Sequence, residues 1–149
     1  MEAPVIRSAL PADETAWLKL WHGYCEDLGV SADKDVTRRT WTRILDPDSA
    51  IMCIVAEVEG QVYGLAHCVV HEYTLERQAV CCLQDVYVVP SARGRGIASA
   101  LIEWLCNAMR AEGWAQLYWL AREDNELARK LSGRFASPDR LSRYVIRPR

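Results

Sequence analysis

The chain has 149 residues, of which 50% are hydrophobic and 26% are charged, and its formal net charge is −2. This apolar content is too high for a disordered chain, and the near-balanced charge argues against a dedicated nucleic-acid-binding protein. The length fits one soluble globular domain, residues 1–149, that folds around its own core without disulfides or a structural metal.

The start of the chain and its cysteines predict a reducing, cytoplasmic environment. Residues 1–7 lack the cationic start and following apolar stretch of a secretory signal. No apolar run is long enough to span a membrane, so we expect no membrane partner. The six cysteines lack the Cys-x-x-Cys spacing of a zinc site. We therefore expect no metal and interpret the cysteines as reduced thiols that serve as small buried hydrophobic side chains.

The first half of the chain predicts a strand, two helices and a hairpin. Proline and acidic residues favour a helix start at Pro11, and apolar residues recur at helical spacing as far as Gly29. Two apolar, β-branched segments flank Glu59-Gly60, which is typical of a hairpin. The predicted bounds are 5–8 for the strand, 11–28 and 33–45 for the helices, and 50–58 and 61–71 for the hairpin strands.

The second half of the chain predicts alternating strands and helices. A strand ends at Pro90, a turn with two glycines follows, and the next helix is closed by Gly113. Hairpins early in the chain and crossovers later predict a mixed α/β sheet with helices on both faces. The predicted strands are 79–89, 115–121 and 141–146, and the predicted helices are 97–110 and 124–132.

The turn between the predicted strand 79–89 and its helix has the composition of a phosphate-binding loop. Gly94 and Gly96 leave the backbone amides at the helix start open, and Arg93 and Arg95 add positive charge. The first amides of a helix lack an intrahelical acceptor and, with the helix dipole, favour an anion. The Gly-Lys-Ser/Thr of a P-loop is absent, and Ser99 stands where a dinucleotide fingerprint needs glycine.

Arg93-x-x-Gly96-x-Ala98 resembles the acyl-CoA pyrophosphate loop, Gln/Arg-x-x-Gly-x-Gly/Ala, of the GCN5-related N-acetyltransferase (GNAT) family. The segment 83–88 is similar to the fourth strand of that family. Asn125-x-x-Ala128-x-x-Leu131 and the following Phe135 are similar to the segment after its fifth strand. The resemblance covers nearly the whole chain, although the first 80 residues match only loosely. Within them, segments 17–24 and 43–47 are similar to the branch that acetylates polyamines, histones or small amino compounds.

The resemblance implies a fold, an activity and a cosubstrate. The implied fold is a single-domain α/β structure with a mixed, mostly antiparallel sheet of about six to seven strands. The implied activity is transfer of the acetyl group from acetyl-CoA to a primary amine by direct attack. Pantetheine would pair with the backbone of the fourth strand, and the pyrophosphate would meet the amides of the loop. The residues implied in acetyl-CoA binding are Val86, Tyr87, Val88, Arg93, Gly94, Arg95, Gly96, Ile97, Ala98, Ser99 and Asn125.

The chemistry implied by the resemblance requires a base, because an amine with a pKa near 10 is mostly protonated at neutral pH. The frequent base position of the family holds Gln84, which cannot accept the proton, whereas the adjacent Asp85 can. We expect Asp85 to bind the amine and to act as a base through a water. The alternative is that Asp85 has only a structural role and holds a loop in place. Ser132 occupies the position of the tyrosine that protonates the thiolate in the family, and Tyr144 is a candidate substitute.

Aromatic and acidic residues of the first two helices are candidates for binding the acceptor. Trp21, Tyr24 and Trp41 lie on helices that border the acceptor cleft in the family, and Glu26 and Asp27 lie nearby. They predict a cradle for a cation, or alternatively aromatic core packing with solvent-facing acids. Acidic residues are in excess over residues 1–92, which suits a cationic ligand, and basic residues over 93–149, which suits a polyanion; the alternative is an uneven surface charge with no ligand. The three histidines do not have the spacing of metal ligands with cysteines or acidic residues, and they are interpreted as ordinary polar or strand residues: His22, His67 and His71.

Other functions and the oligomeric state stay open at this point. Gln84 and Ser132 also fit a non-catalytic acyl-CoA sensor or regulatory module. A dinucleotide-binding oxidoreductase is disfavoured by Ser99 and by the late position of the loop. Homodimers joined through C-terminal strands are common in the family, and the apolar segment 144–146 suits such a contact. The acceptor is expected to be a small amine or a lysine-bearing protein.

Overall fold

Residues 1–148, which the computed structural model describes, form five strands and four α-helices around one sheet. Two short 3-10 turns, Pro11–Asp13 and Pro90–Ala92, precede the first and third helices. The elements are β1 (Val5–Ser8), α1 (Glu14–Leu28), α2 (Lys34–Leu45), β2 (Ile51–Val58), β3 (Gln61–His71), β4 (Val80–Val88), α3 (Ile97–Glu112), β5 (Leu117–Trp119) and α4 (Glu126–Gly133).

The strands are arranged in space in the same order as in the sequence, β1-β2-β3-β4-β5. The first three pairings are antiparallel, and β4 pairs with β5 in parallel across the α3 crossover. The sheet is therefore mixed and mostly antiparallel, as predicted. The prediction of six to seven strands is wrong, because the segment 141–146 forms no strand. Its apolar pattern is compatible with a strand, but a strand also needs a neighbouring edge, and Leu141, Tyr144 and Ile146 are exposed.

One face of the sheet is covered by α3. The helix buries one stripe of side chains at helical spacing, Ile97, Leu101 and Leu105. They pack in a cluster with Ile54 of β2 and Leu83 of β4, among other side chains of the three central strands. Because α3 follows β4 through a short loop, this packing fixes the beginning of the helix at the end of that strand.

The opposite face is covered by α1 and α2. Trp17 of α1 and Trp41 of α2 are buried against the sheet, with their ring centroids 5.0 Å apart. They share a cluster with Leu65 of β3 and Tyr87 of β4. Helices on both faces are as predicted, and the aromatic stripe of α1 is packed mainly as core.

An ion pair connects β1 to the beginning of α1. Both terminal guanidinium nitrogens of Arg7, Nη1 and Nη2, donate to the Asp13 carboxylate, at 2.7 and 2.9 Å, and Asp13 also accepts from the amide of Leu10. The hydrogen bonds from Arg7 hold the pKa of Asp13 below its usual value. The same contact raises the pKa of Arg7. The two groups are therefore both ionised at neutral pH and hold α1 in place over the sheet.

The thiols are arranged largely as the sequence predicts. All six cysteines are free; four of them are buried, while Cys82 and Cys106 are half-buried. Cys81 lies in the core under α3, and Cys82 faces the other side of the sheet near Tyr118. Burial raises the pKa of the Cys82 thiol. In the described part of the chain, no helix is long and apolar enough to cross a membrane.

Candidate active site

The strands β4 and β5 separate halfway along β4. Their parallel pairing runs from Cys81–Leu117 to Leu83–Trp119, whereas β4 continues to Val88. Within residues 1–148, the second half of β4 thus has a strand partner on its β3 side only. The predicted pantetheine-binding residues, Val86, Tyr87 and Val88, lie in this half. A backbone edge of this kind can pair with an extended ligand.

A β-bulge at Gln84 marks the point where the strands separate. In the β3–β4 register, His67 pairs with Asp85 and Cys68 pairs with Leu83, so Gln84 is skipped. Bulges re-aim side chains and are frequent next to active sites. Gln84 is exposed, and Asp85 lies on the face covered by α1.

Asp85 has two hydrogen-bond partners, Tyr24 and His67. The Tyr24 hydroxyl of α1 donates to Oδ1 at 2.6 Å, and Nδ1 of His67 lies 2.9 Å from Oδ2. Burial and the hydrogen bond to Asp85 raise the pKa of Tyr24, so Tyr24 keeps its proton and remains a donor. The carboxylate retains 22% exposure, which leaves it accessible from the cleft.

His67 also belongs to this group of residues, although it was not among the site residues predicted from the sequence. Its ring is buried, and its Nε2 accepts a hydrogen bond from the indole Nε1 of Trp17 at 2.9 Å. The sequence contains one signal, because His67 interrupts an apolar strand and a buried imidazole needs polar partners. The partner residues lie 50 and 18 positions away in the chain, so the sequence alone does not identify them.

The aromatic candidates have different environments. Tyr24 contacts Asp85 directly, and the ring of Trp21 lies 6.2 Å from that of Tyr24. The indole nitrogen of Trp21 donates to the hydroxyl of Thr37 on α2. Trp41 is core. The structure therefore places Tyr24 on the carboxylate and Trp21 next to the rings of Tyr24 and His67, while Trp41 stays in the core.

The loop before α3 leaves the helix start open. Gly96 is the N-cap, with φ at +79°, and no side chain caps the helix. Gly94 has the same φ. The first turn of α3 begins with Ile97, Ala98 and Ser99, whose amides lie ahead of the first helical hydrogen bond, from the amide of residue 100 to Gly96. Free amides at a helix start, together with the helix dipole, are a favourable environment for an anion.

The two arginines of the loop differ in their contacts. Arg93 donates from Nε to the Val88 carbonyl at 2.9 Å and from Nη2 to Asp27 of α1 at 2.8 Å. Its guanidinium lies over the ring of Tyr87, 5.4 Å from the centroid. Arg93 therefore connects the loop to α1 and β4. Among residues 1–148, no acidic side chain forms an ion pair with Arg95.

The remaining candidates lie beyond β5. Asn125 caps α4 by accepting from the amide of Ala128, which leaves its amide NH₂ as a donor. The hydroxyl of Ser132 accepts from the indole nitrogen of Trp119, at the end of β5. Tyr144 is 93% exposed in the C-terminal segment and is not brought to Asp85. In the part of the chain that the structure describes, no group of three or more His, Cys, Asp or Glu side chains is placed so that it could hold a metal ion.

Comparison with known proteins identifies the family. Residues 14–135 match the model of the Acetyltransferase (GNAT) family. The chain is 30% identical over 129 residues to the D-amino-acid N-acetyltransferase HPA3 of Saccharomyces cerevisiae, covering 85% of this chain and 80% of that protein. It is 31% identical over 103 residues to the aminoglycoside N(6')-acetyltransferase type 1 of Stenotrophomonas maltophilia, covering 67% and 63%.

A solved structure with the same fold contains a CoA derivative. It is AAC(6')-Iy in complex with the bisubstrate analogue CoA-S-monomethyl-acetylneamine. It has a TM-score of 0.83 and 21% identity, and the match covers 99% of this chain and 100% of that one. The family match spans most of the chain, including both the separated strands and the loop before α3. The protein therefore belongs to the GNAT family and is an acetyl-CoA-dependent N-acetyltransferase.

Proposed function

We propose that the protein acetylates the primary amine of a small molecule and that Asp85 binds and deprotonates this amine. The observation that supports the proposal best is the position of the Asp85 carboxylate. It lies at the β4 bulge, where the strands separate, and remains accessible. D-amino acids and aminoglycosides, the acceptors that the names of the relatives specify, are the first candidates. Polyamines are further small-molecule candidates, and a protein lysine is the alternative that the experiment below tests.

The donor side of the proposed site is formed by β4 and α3. We expect the backbone of residues 86–88 to pair with pantetheine, because this edge of β4 is available. The pyrophosphate would accept hydrogen bonds from the amides that begin α3, with Arg95 adding positive charge. The amide of Asn125 would donate to the pantetheine arm. These assignments follow from the geometry of the loop and from the family pattern together.

The proposed reaction is a direct transfer. The ammonium group of the acceptor first binds to Asp85 and loses a proton to it, either directly or through a water. The amine nitrogen then forms a bond to the thioester carbonyl carbon, and the carbon–sulfur bond breaks. The nitrogen gives up its second proton as the amide forms, and the thiolate takes up a proton to give free CoA. Asp85 then releases the first proton to solvent, so the products are the acetylated amine, CoA and one proton. Because a thiol has a pKa of roughly 8.5, the thiolate leaves without a strong acid, which is compatible with serine at position 132.

The activity is tested by incubating the purified protein with acetyl-CoA and a pooled panel of amines. The panel contains amino acids of both hands, aminoglycosides, polyamines and a histone-tail peptide, and acetylated products are identified by mass spectrometry. We expect one class of small amine to give a strong product. Acetylation of the peptide alone would refute a small-molecule acceptor. If the protein binds acetyl-CoA but acetylates no amine of the panel, the whole proposal is refuted for these amines.

The role of Asp85 is tested by Asp85→Asn. We expect kcat/KM to fall about 100-fold or more, because general-base contributions are of that order. The dissociation constant of acetyl-CoA should not change. Asp48→Asn, an exposed carboxylate in the turn before β2, is the matched control and should keep wild-type kinetics. Equal kinetics for both variants would refute the assignment of Asp85.

We further propose that the protein acts as a homodimer in the cytoplasm. Tyr144 and Ile146 are 93% and 99% exposed, and apolar side chains at this exposure favour a partner surface. Free thiols throughout the chain suit a reducing compartment. Sedimentation velocity of the wild type and of Ile146→Glu tests the dimer. A monomeric wild type would refute it.

A further inference from the structure

The hydrogen bonds of His67 determine which of its ring nitrogens carries the proton. An indole N–H can only donate, so Nε2, which faces Trp17 at 2.9 Å, must offer its lone pair. The proton of the neutral ring is therefore on Nδ1. From there it points to Oδ2 of Asp85, 2.9 Å away. With both nitrogens occupied in this way, His67 has no free lone pair with which to take a proton from a substrate.

The environment of Asp85 follows from this tautomer. One carboxylate oxygen accepts from the neutral ring of His67, and the other accepts from the neutral hydroxyl of Tyr24. Two neutral donors orient the carboxylate without cancelling its negative charge. The pairing of His67 with Asp85 across β3 and β4 sets this geometry, and the buried ring keeps the contact away from water.

We infer that His67 is the positioning residue for the Asp85 carboxylate and that Trp17 fixes the tautomer in which His67 acts. The inference rests on the proposed function, because it assumes that Asp85 receives the ammonium group of the acceptor. It also defines the acceptor more closely. A carboxylate whose charge is not neutralised by its neighbours favours an amine that arrives as a cation.

The tautomer is tested first, by nitrogen-15 NMR of the imidazole rings at neutral pH. We expect His67 to be neutral with its proton on Nδ1. In Trp17→Phe, which removes the indole donor, the preference should weaken or reverse. His22, which is exposed on α1, is the internal control for an unconstrained ring. A charged His67, or a proton on Nε2 in the wild-type protein, would overturn the inference independently of any enzymatic activity.

The positioning role is tested with two amide substitutions of His67. The amide nitrogen of Asn lies close to the position of Nδ1, so His67→Asn retains a donor to Asp85. His67→Gln reaches instead to the position of Nε2, so it keeps a partner for Trp17 but loses that donor. Because hydrogen bonds to a charged group are the strong ones, we expect a rise in the KM of the amine of about 10-fold or more in His67→Gln. His67→Asn should stay within about threefold of wild type, and the KM of acetyl-CoA should not change.

A double-mutant cycle separates positioning from a general loss of packing. In an Asp85→Asn background, His67→Gln should have no further effect on the dissociation constant of the amine, which is measurable without turnover. Additive effects, or equal kinetics for the Gln and Asn variants, would overturn the role of His67. If the wild-type protein acetylates no amine of the panel, the proposed function itself fails. The two failures are thus distinguishable.

Discussion

The close approach of α1 to β4 predicts the effect of Gly23→Ala. A Cβ at residue 23 would overlap the hydroxyl oxygen of Tyr87 and lie 2.9 Å from its Cζ, far inside an ordinary contact. Tyr87 is buried and cannot move freely, and overpacking of this kind costs about 1–3 kcal/mol. Replacing a helical glycine with alanine contributes roughly 0.5–1 kcal/mol in the opposite direction.

A matched variant isolates the clash. Gly133 lies at the end of α4, and a Cβ there would meet no atom within 4 Å. Gly133→Ala therefore gains the higher helix propensity of alanine without creating a clash. The difference between the two variants should be about 1–3 kcal/mol. For a chain of this length that is about 2–10 °C in Tm.

Thermal unfolding followed by circular dichroism, with urea titrations at 25 °C, measures this difference. We also expect acetyl-CoA to bind more weakly to Gly23→Ala, because Tyr87 lies on the strand proposed to bind pantetheine. Adding Tyr87→Phe removes the overlap with the hydroxyl oxygen and should restore part of the lost stability. Equal melting temperatures for the Gly23 and Gly133 variants would refute the close approach of α1 to β4.

Three further predictions concern the ion pair at β1 and the loop before α3. The lowered pKa of Asp13 means that its ion pair stabilises the fold above about pH 4 and that this stability is lost as pH falls through the folded-state pKa. Asp13→Asn should cost about 1–3 kcal/mol in urea titrations at pH 7 and much less near pH 2; the exposed control Asp124→Asn should stay within about 0.5 kcal/mol. Gly96→Asp should raise the dissociation constant of acetyl-CoA at least about 30-fold, because it puts a negative charge beside the amides proposed to bind the pyrophosphate. Gly113→Asp, at a similar positive φ on the other end of α3, should leave calorimetric binding unchanged. Arg95→Ala should weaken binding about 3- to 10-fold at low salt and less at 0.5 M salt, where screening is strong; a salt-independent loss would contradict a charge effect.

The local features of the chain could be predicted because they depend on neighbours in sequence. Pro90, Gly94 and Gly96 mark the turn between β4 and α3, and the order of hairpin and crossover determines a mixed sheet. In any helix the first backbone amides point outward from its N-terminal end without an intrahelical acceptor, so this feature follows once the start of the helix is known. The proposed cofactor loop was therefore recognisable from about ten residues.

Features that join distant segments could not be predicted in this way. The Asp85 carboxylate is connected to Tyr24, 61 positions away, and to His67, 18 positions away, through the crossing of α1 over the sheet and the register of β3 and β4. The bulge at Gln84 decides which of two adjacent polar residues faces α1. A shift of one residue in the β3–β4 register would turn the other side chain to that face, and the local sequence of the strand does not specify this register.

The sequence by itself determined the class of fold, the open glycine-containing turn before α3 and the family resemblance, because spacing and turn chemistry act over short stretches of chain. Only the tertiary structure decided that β5 stops pairing after Trp119 and that the apolar segment 141–146 forms no strand. The physical reason is the same in both cases. A helix forms its hydrogen bonds within one segment, whereas a strand depends on an edge supplied by another part of the chain.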